Sequence, residues 1–159
     1  MELIDVLAQA LKLESDGRVF YEKMAAAVED AESKALFAQL AADEVDHYAY
    51  IKRQYEALQG DEGWSAIPEV DLVDSVDAVS LVFPTGGKIP DALAENPTEE
   101  DALLFGLKIE NDSFSLYRNS AGQATDPEAK KLFLQLAGAE QRHFEVLMMR
   151  YESRFQYPR

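Results

Sequence analysis

The stretches Glu44-Val45-Asp46-His47 and Glu140-Gln141-Arg142-His143 decide the fold. Each reads Glu-x-x-His, and together they use both histidines of the 159-residue chain. Residues three apart on a helix share a face, so each stretch can aim a carboxylate and an imidazole at one point. Upstream of the two motifs stand Glu14 and Glu110. Glu14 and Glu110, Glu44 and Glu140, and His47 and His143 are each 96 residues apart. This pseudo-twofold set of glutamates and histidines makes a dinuclear metal site the leading hypothesis.

The repeat extends beyond these residues. Leu11-Lys12-Leu13-Glu14-Ser15-Asp16 aligns with Leu107-Lys108-Ile109-Glu110-Asn111-Asp112, Tyr21 with Tyr117, Phe37 with Phe133, and Gln39-Leu40-Ala41 with Gln135-Leu136-Ala137, all without a gap. An internal repeat reveals architecture directly. Here the repeated unit is a helix hairpin, and each copy supplies half of the site.

Around the motifs the sequence predicts four helices. Leu3, Val6, Leu7, Ala10, Leu11, Phe20 and Met24 recur at helical spacing over residues 2–29. Gly17, the interior glycine, should cost that helix about 1 kcal/mol relative to alanine. Asp30 is an expected N-cap for a second helix over 31–59 that stops at Gly60. Thr98 with Asp101 opens a third helix over 98–121, with Gly122 as its stop. Asp126 followed by Pro127 opens a fourth over 127–155. The turns within each hairpin are short, so their helices are antiparallel neighbours. The punctuated segment 60–97, with Gly63, Pro68, Pro84, Gly86, Gly87 and Pro90, reads as a long crossover. The expected fold is all-α: one domain over residues 1–159, a four-helix bundle with one crossover. Trp64 reads as a packing anchor for the crossover on the outside of that bundle.

Composition narrows the function. A hydrophobic fraction of 47% and a charged fraction of 28% suit an ordinary globular domain. A net charge of −15 argues against a phosphate backbone or an anionic membrane as partner. With no cysteine, the sequence holds no disulfide, no iron–sulfur cluster and no Cys₄ iron centre. Met1-Glu2-Leu3-Ile4-Asp5 lacks the start of a signal peptide and no stretch is long enough to span a membrane, so the expected location is cytoplasmic.

Buried carboxylates repel one another and lose hydration, so four in a bundle core need cations or protons. Two divalent metals would balance the four glutamates and leave the imidazoles as neutral ligands. Mixed oxygen and nitrogen ligation suits iron or manganese, with zinc as a contaminant. One Glu from each of two helices, plus Glu-x-x-His from each of the other two, is the ligand pattern of ferritin-like di-iron and di-manganese proteins.

The chain therefore resembles the ferritin-like superfamily, and most closely the rubrerythrin-type di-iron domain. Leu13-Glu14-Ser15-Asp16-Gly17 with Phe20-Tyr21, Glu44-x-x-His47, Ile109-Glu110-Asn111-Asp112 with Tyr117, and Glu140-x-x-His143 carry the resemblance over all four helices. It implies a ferritin-like bundle holding two Fe ions, with Mn or Zn as alternatives. It implies that Glu44 and Glu140 bridge the metals while Glu14 with His47 and Glu110 with His143 complete the coordination; which metal each ligand serves is left open. Two features depart from the family. Ser113 stands where rubrerythrins carry a further glutamate, which brings the site closer to the symmetric one of bacterioferritin. The rubredoxin domain of typical members is missing, so electrons are expected from an external donor such as a rubredoxin-type protein.

Plainer readings stand beside these. Tyr21 and Tyr117 lie two helical turns after Glu14 and Glu110. Each could hydrogen-bond a ligand carboxylate, serve as a nearby redox-active phenol, or simply be a core tyrosine with a satisfied hydroxyl. Asp43 could accept the second N–H of a ligand histidine, although a solvated helix face is the preferred reading. Asp16 and Asp112 read as local helix surface, and Met148 and Met149 as core and rim packing. The expected function is a di-iron oxidoreductase that reduces hydrogen peroxide or oxygen and forms a homodimer. The alternatives are a ferroxidase or iron-storage protein and a bundle whose metal is a structural staple.

Overall fold

The computed structural model describes residues 3–60 and 97–155. It contains α1 (Leu3–Ala27), α2 (Ala31–Gln59), α3 (Glu99–Gln123) and α4 (Pro127–Arg154). The predicted crossover over 61–96, with Trp64, lies outside the described residues.

The capping residues account for the helix boundaries. Asp30 accepts from the Ser33 N–H at 2.9 Å, and Thr98 accepts from the Asp101 N–H at 3.1 Å. Asp126 accepts from the Glu128 N–H at 2.8 Å and precedes Pro127 at the first helical position. These oxygens satisfy N–H groups that a helix start leaves without partners. Two boundaries differ from expectation. α1 ends at Ala27, with the Val28 N–H still bonded to the Met24 carbonyl. α3 runs through Gly122 to Gln123 and is closed by the Ala124 N–H on the Ser120 carbonyl. An exposed glycine weakens a helix by only about 1 kcal/mol, and the next strong signal, the Asp126 cap, comes four residues later.

α1 packs antiparallel on α2, and α3 on α4; the hairpins then meet through α1 against α3 and α2 against α4. The core is continuous across both, with Leu7, Phe20, Phe37, Leu103, Phe133 and Leu147 fully or almost fully buried. The repeat is visible in the packing. Tyr21 stacks on Phe37 at 6.0 Å between centroids and Tyr117 on Phe133 at 6.4 Å. At one end, Arg150 of α4 pairs with Asp30 and Glu32 and donates to Ser33 at the start of α2. Arg154 grips Glu99 at the start of α3 through two hydrogen bonds of 2.9 and 2.8 Å. This network locks the ends of three helices together. Lys12–Asp16 and Lys108–Asp112 are local pairs one turn apart; Asp112 lies on the helix surface as expected, whereas the Asp16 side chain is only 12% exposed.

Candidate metal centre

Each helix contributes to the centre from its middle. α1 supplies Glu14, α2 supplies Glu44 and His47, α3 supplies Glu110, and α4 supplies Glu140 and His143. The four glutamates are at most 4% exposed. Burying so much carboxylate in a helical core is unfavourable by itself, so the sequence must gain something from it.

The side chains converge on two overlapping groups. Glu14, Glu44, His47 and Glu140 offer ligand atoms that all lie within 4.8 Å of one another, and so do Glu44, Glu110, Glu140 and His143. Glu44 and Glu140 belong to both groups. Glu14 falls with His47, and Glu110 with His143, as the resemblance implied. The rings of His47 and His143 stack with centroids 5.4 Å apart. Each turns Nδ1 inward: His47 Nδ1 lies 3.4 Å from both Glu14 Oε2 and Glu140 Oε1. His143 Nδ1 lies 3.3 Å from Glu110 Oε1 and 3.6 Å from Glu44 Oε1.

Electrostatics follow from burial. Desolvation, then repulsion from Glu140, pushes Glu14 up to about 7. Desolvation likewise raises Glu110 to about 7, and raises Glu140, with repulsion from Glu110, to about 8. Burial alone would lower His47, but the Glu14 and Glu140 carboxylates facing its Nδ1 at 3.4 Å outweigh it and hold the ring up at about 11. The cluster thus needs positive charge, supplied by protons or by cations.

Tyr21 and Tyr117 cross between hairpins. Tyr21 of α1 donates to Glu110 Oε1 of α3 at 2.5 Å, and Tyr117 of α3 donates to Glu14 Oε1 of α1 at 2.6 Å. Both are fully buried, and desolvation first, with nearby carboxylates second, drives their pKa values well upward. They remain phenols and donors.

Asp43 departs from the preferred reading of a solvated helix face. Its Oδ2 lies 3.0 Å from His143 Nε2 and its Oδ1 accepts from Gln39 Nε2 at 2.9 Å. A carboxylate can only accept, so His143 donates from Nε2, and Nδ1 is the nitrogen turned to the centre. Sequence reading missed Gln39; its place one turn before Asp43 was the available signal. It also missed Arg18 and Tyr48, which with Glu14, Ser15, Glu44 and Val45 line a cavity of about 240 Å³ between α1 and α2.

These residues fit a pair of metal ions. Glu14 Oε2, Glu110 Oε2, Glu140 Oε1 and both Nδ1 atoms are buried without a hydrogen-bond partner among the described residues. Such atoms are normally satisfied, and here they belong to residues of the two four-ligand groups. The oxygen and nitrogen donor set, with two carboxylates shared, suits first-row divalent metals.

The rubrerythrin family model matches residues 5–74 and 101–159. Two solved structures resemble the whole chain: an uncharacterized conserved protein from Magnetospirillum magnetotacticum MS-1 and a hypothetical protein from Pyrococcus furiosus. The first is 22% identical, with a TM-score of 0.73 and coverage of 100% of this chain and 99% of its own. The second is 21% identical, with a TM-score of 0.69 and coverage of 99% and 94%. At that identity they speak for the fold alone. No curated protein matches the chain. Among the described residues no helix is long and apolar enough to cross a membrane.

Proposed function

The chain belongs to the rubrerythrin family, and on that premise we propose that it is a di-iron oxidoreductase that reduces hydrogen peroxide with electrons from an external donor. The observation that carries this reading is the pair of four-ligand groups sharing Glu44 and Glu140. Two ferrous ions held there supply two electrons, the number that reduction of one peroxide to two waters consumes with two protons.

The protein's share of the work is positioning. Glu14 and His47 would hold one ion and Glu110 and His143 the other, while Glu44 and Glu140 span both. Tyr117 and Tyr21 orient the terminal carboxylates Glu14 and Glu110 through their hydroxyls. The buried aromatic residues around them keep bulk water from the ligands. The cavity of about 240 Å³ beside Glu14 and Glu44 offers a small oxidant a route inward. With no cysteine in the sequence, an iron–sulfur relay cannot be built from these residues, which supports a separate donor of the rubredoxin type.

Ferrous oxidation by oxygen is a second reading, favoured by Ser113. It stands where the family carries a further glutamate and leaves the ligand set nearly twofold symmetric. Stopped-flow oxidation of anaerobically Fe(II)-loaded protein separates the two. Two irons per chain reacting much faster with peroxide than with oxygen support the peroxidase. Preference for oxygen, with iron accumulating beyond two, supports the ferroxidase. No stoichiometric iron uptake overturns both.

A further inference from the structure

Where the hairpin repeat departs from symmetry beside the centre, one of the departures falls on a histidine contact. Asp43 of α2 reaches across to α4 and bonds His143 Nε2 at 3.0 Å. The residue 96 positions on from Asp43 is Ala139, which has no group to offer His47. Among the described residues the outer nitrogen of His47 has no counterpart to Asp43. Gln39, which steadies Asp43 at 2.9 Å, also has a repeat partner, Gln135. With no aspartate one turn on, Gln135 instead accepts from the Tyr50 hydroxyl at 3.2 Å. One half therefore carries a Gln39–Asp43–His143 chain and the other does not. Exposure follows the same division: the His143 side chain is 7% exposed and that of His47 16%.

A carboxylate on the outer nitrogen of a ligand imidazole fixes its tautomer, holds the ring in its ligating pose and makes it a stronger donor. The inner nitrogen is then pre-set before a metal arrives. An imidazole without that partner must give up rotational and tautomeric freedom when it ligates.

We propose that Asp43 is a positioning residue that makes the two metal positions inequivalent, so that the Glu110/His143 position binds divalent metal more tightly and fills first. This rests on the di-metal reading above. The test is anaerobic titration of the metal-free full chain with Co(II), followed by visible absorption and calorimetry. The wild-type chain should show two resolved steps. D43A should weaken the tighter step about 10- to 100-fold and leave the weaker one unchanged. D43N, which retains an acceptor oxygen, should restore part of the loss. A139D, placed 96 residues from Asp43 and in the same surface depression as His47, should tighten the weaker step. Two wild-type steps that D43A leaves unchanged, or weakens equally, would overturn the inference alone. Absence of Co(II) uptake by the wild-type chain would overturn it together with the di-metal reading.

Discussion

Tyr21 donates its hydroxyl to Glu110 across the hairpin interface at 2.5 Å, and the repeat returns the same bond from Tyr117 to Glu14 at 2.6 Å. Each hairpin thus orients the terminal carboxylate of the other. The bonds do two jobs: they satisfy buried oxygens, and they tie α1 to α3 at the level of the centre.

The Y21F variant should therefore lose stability by about 1–3 kcal/mol, because a buried acceptor is left without its donor. Y117F should lose a similar amount, since its bond is the repeat image of the first. Each bond also favours the ionised carboxylate. Without it, protons compete better with metal, so affinity should fall more at pH 6 than at pH 8. Urea denaturation and metal titration at both pH values check this. Unchanged stability and affinity in both variants would show that the tyrosines only fill space.

Metal-free protein should become less stable as pH rises from 5 to 9. Glu14, Glu110 and Glu140 have folded pKa values raised to about 7, 7 and 8. A raised carboxylate contributes stability that is complete below its unfolded value, about 4.3, and lost as pH climbs through the folded one. His47, held at about 11, has the same sign: its contribution is present below about 6.5 and fades above. Asp30 is lowered, chiefly by the Ser33 N–H, and Glu99, chiefly by Arg154. Their opposite contributions change below about pH 4.5, outside this window. Bound metal replaces the protons and gains affinity as pH rises. Thermal denaturation of chelator-treated and Mn(II)-loaded protein should diverge toward high pH. A metal-free Tm that increases from pH 5 to 9 would contradict the electrostatic account.

The shared and terminal glutamates should behave differently. E44Q and E140Q remove a ligand common to both groups and should abolish uptake of both metals. E14Q and E110Q should each spare the opposite position and retain one. E140Q also deletes a buried charge, so the metal-free variant should gain on the order of 1 kcal/mol at pH 8. Metal content by elemental analysis and urea denaturation of the same samples test both halves. Equal metal loss in all four variants would argue against the bridging assignment.

Much of this was legible in the sequence because the information is local. Glu-x-x-His places two ligands on one helical face whatever lies opposite. The constant offset of 96 residues places the halves against each other, and the caps Asp30, Thr98 and Asp126 mark helix starts through bonds within one turn. What stayed hidden depends on register between helices. Tyr21 is two turns from Glu14, about 10.5 Å along α1, too far to bond it. That it meets Glu110 instead follows only from how α1 lies against α3. Asp43 is adjacent in sequence to Glu44, yet its partner is on α4. Nothing local distinguishes it from a solvated aspartate except the missing repeat partner at Ala139. The end of α3 was misread at Gly122 because an exposed glycine weakens a helix without ending it.

Gly17 couples fold to function in the opposite sense from the ligands. A Cβ there would lie 3.5 Å from Glu44 Cδ and 3.6 Å from its Oε2, ordinary van der Waals contact. Alanine therefore fits, and G17A should stabilise α1 by about 0.5–1 kcal/mol through helix propensity. The methyl would also occupy the space beside a carboxylate that spans both positions, limiting how far Glu44 can swing. Its repeat image is Ser113, buried on α3. G17A should keep its full metal content, unfold at higher urea, and react more slowly with peroxide in a single turnover. Loss of metal would mean that glycine is needed for the ligand geometry itself. An unchanged rate would mean that Glu44 holds one position throughout the reaction.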